Sequence, residues 1–132
     1  MKKQLIMSIS LAILMACTTP TSTGTAKSFI DSARGKVVSW TYQGKVYALD
    51  YVDPSKDVVL TAKSGNLCDK GTFVTNGNQI CYNFSGDLRP TDATPDDCWT
   101  VRKTNSGYLM ESKYSAGPIT ANITNLKPFS CQ

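Results

Sequence analysis

The five cysteines, Cys17, Cys68, Cys81, Cys98 and Cys131, are the residues whose chemistry the sequence specifies most directly. A thiol can bind zinc, attack a substrate or form a disulfide. The Cys68-x12-Cys81-x16-Cys98 spacing contains no close CxxC pair, which argues against a zinc site. The chain has no histidine. That removes Ser-His and Cys-His nucleophiles, His-liganded zinc and the side chain that titrates near neutral pH. Glutamate occurs once, at Glu111, so paired-carboxylate catalysis would rest on aspartates. The run Asp92-Ala93-Thr94-Pro95-Asp96-Asp97 offers oxygen ligands for Ca²⁺. It lacks the DxDxDG spacing and the distal Glu, and reads as a solvated turn. Asp96 and Asp97 are adjacent, so on a strand they point to opposite faces and are poorly placed to share a proton. No catalytic residue, metal or cofactor is assigned on these grounds.

The amino terminus sets the chemistry of Cys17. Lys2 and Lys3 precede an apolar stretch from Leu5 to Ala16 that is broken only by Ser8 and Ser10. This stretch is too short to cross a bilayer core of about 30 Å as a helix. A charged start, a short apolar run and a small residue before the cut describe a secretory signal over residues 1–16. Leu14-Met15-Ala16-Cys17 resembles the lipobox of bacterial lipoproteins. The resemblance implies a diacylglycerol thioether on the Cys17 sulfur, cleavage before Cys17 and acylation of the freed amine. Several acyl chains would hold the protein at a membrane stably, whereas one holds it marginally. Thr18 stands where lipoproteins of enteric type commonly carry Asp for inner-membrane retention. The resemblance therefore implies the outer membrane, with the domain facing the periplasm. Setting Cys17 aside leaves Cys68, Cys81, Cys98 and Cys131, an even set suited to two disulfides in an oxidising compartment.

The full chain carries a formal net charge of +4 over 132 residues, part of it in the signal. No Lys/Arg stripe runs through the remainder, so no nucleic-acid partner is expected. Residues 17–25, which include Thr18-Thr19-Pro20-Thr21-Ser22-Thr23-Gly24-Thr25, read as a lipidated cysteine and flexible tether. At about 3.5 Å per residue, an eight-residue tether keeps the domain within about 28 Å of the bilayer. Residues 26–132 read as a single domain. Ala26 to Arg34 predicts one short helix with Phe29, Ile30 and Ala33 on its apolar face, capped by Thr25 or Ser28.

Beyond Gly35 the period changes to that of strands: Val37–Tyr42, Lys45–Val52, Val58–Lys63, Phe73–Thr75, Ile80–Phe84, Trp99–Lys103, Tyr108–Lys113 and Ile119–Thr124. Gln43-Gly44, Asp53-Pro54-Ser55-Lys56, Asn76-Gly77-Asn78 and Asn105-Ser106-Gly107 supply turns. The expected fold is mainly β and antiparallel, about eight short strands in up-and-down order forming a small barrel or sandwich, with two disulfides. In the pleat Ile80, Tyr82 and Phe84 share one face and Cys81 the other. Cys98 likewise opposes Trp99 and Val101. If these strands are neighbours with aromatic faces inward, Cys81 meets Cys98, which leaves Cys68 for Cys131. The aromatic set Trp40, Tyr42, Tyr47, Tyr51, Tyr82, Phe84, Trp99 and Tyr108 reads as core filling. Its alternative is the lining of an apolar ligand cavity.

Gly71-Thr72-Phe73, Ile80-Cys81-Tyr82, Cys98-Trp99-Thr100-Val101 and Ser106-Gly107-Tyr108 resemble a group of small exported proteobacterial proteins, a domain family of unknown function. The resemblance spans about Ser28 to Tyr114. That family usually has Trp where Phe73 stands, and Cys68 and Cys131 are additions to its pattern. It supports the Cys81–Cys98 pairing and carries no activity. Ser106-Gly107 also invites comparison with bacterial inhibitors of host lysozyme, whose loop order it does not reproduce.

The functional expectation is a non-enzymatic outer-membrane lipoprotein that binds an envelope component or has a structural role. The alternatives are an inhibitor of a lysozyme-like or proteolytic enzyme, with Asp87 to Asp97 as its plug, and a carrier of a small apolar ligand. The sequence sets no oligomeric state. Cys17→Ser should abolish acylation, and the protein should leave the membrane fraction. Continued processing and sedimentation with vesicles would contradict the lipid anchor.

Overall fold

The computed structural model describes residues 24–132; the signal, Cys17 and the tether as far as residue 23 lie outside the described residues. One helix, α1 (Thr25–Ala33), precedes eight strands. These are β1 (Val37–Tyr42), β2 (Lys45–Val52), β3 (Val58–Lys63), β4 (Leu67–Asn76), β5 (Gln79–Phe84), β6 (Asp97–Thr104), β7 (Gly107–Glu111) and β8 (Ile119–Thr124). Each strand pairs antiparallel with the next, and β8 returns to β1 with Val38 opposite Ile123 and Trp40 opposite Ala121. The sheet is therefore a closed barrel, which resolves the barrel-or-sandwich alternative. Closure leaves no unpaired strand edge.

Short turns enforce the up-and-down order. Gln43 and Gly44 both take positive φ, +49° and +79°, in a two-residue turn whose backbone matches the twist of the flanking strands. At the β2–β3 turn the Asp53 carboxylate accepts the backbone N–H groups of Ser55 and Lys56 at 2.9 and 2.8 Å. The strands β4 and β6 are longer than their apolar runs suggest, because ladder pairing carries on through polar residues. Leu67 to Lys70 pair with β3, and Asp97 pairs with Tyr82.

Helix α1 buries Ala26, Phe29, Ile30 and Ala33, one stripe at i, i+3, i+4 and i+7. It packs on β4, β5 and β6, and the Phe29 ring meets Tyr108 edge-on at 5.0 Å. Two expectations need correction. Thr25 is the first helical residue rather than tether, and neither Thr25 nor Ser28 caps the helix; the cap position is Gly24 and has no side-chain cap bond. A side chain there has no room, since a Cβ on Gly24 would lie 1.7 Å from the Gly77 carbonyl oxygen. That same carbonyl accepts the Ala26 N–H at 3.3 Å, so the β4–β5 turn takes over the work of a capping side chain. At the other end of α1, Arg34 donates to the Lys56 carbonyl at 2.9 Å and to Asp57 Oδ1 at 2.7 Å. The helix thus closes the barrel end that carries the β2–β3 and β4–β5 turns.

Cys81 and Cys98 stand directly opposite each other on β5 and β6 and are bonded, as are Cys68 and Cys131. The second bond ties the segment after β8 to β4, a strand that does not pair with β8. Inside, Trp40, Phe73, Tyr82, Phe84 and Tyr108 are buried core residues. Tyr51 is not; it sits on the other face of β2 from Asp50 and Val52, half-buried, because the pleat turns it outward. Gly71 is buried beneath the Phe84 ring, where a Cβ would come within 2.6 Å of a ring carbon. Gly71→Ala should destabilise the fold by about 1–3 kcal/mol in denaturant unfolding. The penalty should shrink in a Phe84→Leu background; additive effects of the two changes would contradict this contact.

Candidate functional site

The opposite end of the barrel is ringed by the β1–β2 turn, the β3–β4 turn and the two long connections, residues 85–96 and 112–118. A cavity of about 610 Å³ opens there, bounded by Tyr42, Tyr47, Leu88, Trp99, Tyr114 and Ile119 among others. It leads into a deeper pocket of about 40 Å³ that reaches Trp40, Asp50, Thr61 and Tyr82. Tyr47, Lys63, Leu88, Asp97 and Trp99 border both spaces.

Local backbone features place these side chains. Trp40 pairs with Ala48 but Thr41 pairs with Val46, so Tyr47 is an extra residue in β2, a bulge. A bulge interrupts strict alternation and re-aims a side chain, and here Tyr47 joins the cavity wall next to inward Ala48. The 85–96 connection is held by Asp69 on β4, whose Oδ2 accepts the N–H groups of Gly86 and Leu88 at 2.9 and 3.1 Å. This fixes Leu88 at the mouth. Further along, Thr91 and Thr94 exchange backbone hydrogen bonds, and Asp96 accepts Lys113 Nζ at 2.7 Å across to the other long connection.

Asp50 is the central polar group. It is 4% exposed, on an inward register between Ala48 and Val52. Its Oδ2 accepts Trp40 Nε1–H at 2.9 Å and its Oδ1 accepts the Thr61 hydroxyl at 2.7 Å. Burial pushes its carboxyl up to about 7. The donors Thr61 and Trp40 pull it down, Asp97 pushes it further up, and Lys63 acts downward. Asp97 accepts Trp99 Nε1–H at 2.6 Å. Burial raises its carboxyl as well, against the Trp99 bond and Lys63, which lower it. Burial also raises the phenols of Tyr47 and Tyr82, with the two carboxylates adding to the effect. The site is thus an aromatic-walled pocket with two carboxyl groups whose protons are held unusually tightly.

The residues marked out by sequence meet this site only in part. Of the aromatic set, Tyr42, Tyr47 and Trp99 line the mouth while Trp40, Tyr82 and Phe84 reach the deeper pocket. Core and cavity wall are here the same set of rings. The Asp92–Asp97 run splits: Asp92 is exposed, Asp96 pairs with Lys113 and Asp97 turns to Trp99. Among the described residues no group of three His, Cys, Asp or Glu is placed to hold a metal ion. Asp50, Thr61 and Lys63 carry no motif that marks them in the sequence. The signal for two of them is the alternation itself, which sets Asp50 in register with Ala48 and Val52, and Thr61 with Val59.

Because the folded state favours protonated Asp50, the unfolded chain ionises at lower pH than the folded one. Stability carried through Asp50 is therefore greatest in acid and falls as pH rises from the ordinary carboxylate range to about 7. Relative to Asp50→Asn, the unaltered protein should lose on the order of 4 kcal/mol between about pH 4 and pH 8. Denaturant unfolding across that range checks this; a pH-independent difference between the two proteins would contradict it.

Set against family models, curated proteins and solved structures, the chain matches none of them.

Proposed function

We propose that this is an exported, lipid-anchored protein of the bacterial outer membrane whose periplasmic barrel binds a small, largely apolar molecule at its open end. The role is binding rather than catalysis. The single observation that carries this reading is the cavity of about 610 Å³ opening at one barrel end while α1 closes the other. Pockets of this size, apolar with a few convergent polar groups, are the usual form of small-molecule sites. Eight strands make a barrel just wide enough to hold one such molecule.

The anchor rests on Leu14-Met15-Ala16-Cys17 and on the four remaining cysteines, which are all bonded. The resemblance to a small exported family of unknown function belongs to the same proposal. Its quoted residues have structural work here: Gly71 admits the Phe84 ring, Cys81 meets Cys98, and Ser106 lies in the β6–β7 turn. The inhibitor reading uses Asp87 to Asp97 as a projecting plug. That segment instead contributes Leu88, Arg89, Pro90 and Thr94 to the cavity wall, which favours the carrier reading.

Nile red, a neutral dye that brightens in apolar surroundings, tests the reading. The full chain should bind it with Trp99 fluorescence quenched, and Trp99→Ala should weaken binding about tenfold, a loss of about 1.4 kcal/mol. Val74→Ala, on an exposed outer face, should leave binding unchanged. Dye binding that ignores Trp99 would contradict the carrier reading.

A further inference from the structure

The deeper pocket has a chemistry of its own. Trp40, Tyr47, Tyr82 and Trp99 line it together with Asp50 and Asp97. Its volume of about 40 Å³ exceeds the roughly 10–15 Å³ that one water molecule needs, so it admits a small polar head. Trp40 meets Trp99 edge-on at 5.2 Å and Tyr82 at 6.2 Å, which holds the ring wall rigid.

The charge balance of this pocket is one-sided. Its two carboxyl groups face a single cation among the described residues that line it, Lys63. The Lys63 ammonium lies 5.9 Å from the centre of the Tyr47 ring, and the ion pairs among the described residues lie elsewhere. Lys45 and Arg89 belong to the outer mouth and do not reach the pocket. An anionic head would meet two carboxyl groups and the electron-rich faces of the rings. A cationic head would gain from both, since a cation over an aromatic face is attracted by the ring quadrupole. A bare metal ion finds no set of three ligating side chains among the described residues.

We propose that the inner pocket takes the ammonium group of a small organic amine whose apolar body lies in the outer cavity against Leu88, Trp99 and Ile119. This rests on the carrier reading and names its ligand class. Asp97, at the junction of the two spaces, receives the ammonium N–H groups, and Asp50 supplies the second negative charge beneath it. Lys63 competes for the same field, so its removal strengthens amine binding.

Three probes with one body and different heads separate the possibilities: 2-phenylethylamine, 2-phenylethanol and 3-phenylpropanoate. Titration calorimetry on the full disulfide-bonded chain, at about pH 8 so that the carboxyl groups are ionised, reads their affinities. The amine is expected to bind at least tenfold more tightly than the alcohol, and the carboxylate more weakly than the alcohol. Asp97→Asn should weaken the amine about tenfold and leave the alcohol within about twofold. Lys63→Met, a change at an exposed residue, should tighten the amine several-fold. Alcohol or carboxylate binding as tight as the amine overturns the amine assignment and leaves the carrier reading standing. An amine affinity unchanged or weakened by Lys63→Met overturns it too. Failure of all three probes to bind overturns both.

Discussion

Closing eight strands on themselves creates an interior that side chains must fill, because an apolar void forfeits packing on every wall. In this protein the filling is unequal at the two ends. At one end α1 lays Ala26, Phe29, Ile30 and Ala33 into the barrel, and its amino terminus is held by the Gly77 carbonyl in place of a capping side chain. At the other end the long connections stand back, and the rings that would otherwise complete the core become the walls of a cavity. The position of the site and its aromatic character both follow from that asymmetry.

The electrostatics follow in turn. A carboxyl group set among rings at the bottom of such a cavity loses its water and is compensated by only two neutral donors, Trp40 Nε1–H and the Thr61 hydroxyl. One hydrogen bond to each oxygen does not offset the lost hydration of the charge, so the proton is retained to higher pH. Asp97 repeats the arrangement nearer the mouth with Trp99 as donor. Such groups cost stability when ionised, and a fold keeps them more readily where their charge has a use. In the proposed carrier that use is to hold a cation brought in from solution.

Much of the fold was legible in the residues. The eight strands, their order, the short helix and both disulfides follow from alternation, turn chemistry and the pleat argument that sets Cys81 against Cys98. Closure was not legible, because the pairing of β1 with β8 joins residues as distant in the chain as Val37 and Thr124, and no local pattern encodes it. The helix cap was hidden for the same reason: its acceptor, Gly77, belongs to a distant turn. The site was half legible. The aromatic residues stood out, but alternation could not say whether rings meet each other or border a space. Tyr47 escapes the alternation altogether through its bulge. Asp97 and Trp99 share the face of β6 opposite Cys98, so alternation sets them together but does not show that this face borders a space. Asp50 interrupts an apolar register, a conflict between local pattern and global burial of the kind that functional sites display.

A carboxyl group buried beneath an open mouth, with Lys63 the one cation among the described residues that line its pocket, underlies the charge of the site. Side-chain carboxyl ¹³C NMR of the aspartates, followed as a function of pH, tests that directly. One resonance, absent from the Asp50→Asn protein, should titrate with a midpoint at about 7, well above the exposed aspartates. If every aspartate, Asp50 included, ionises in the ordinary range below about pH 5, the pocket is neither desolvated nor poor in cations.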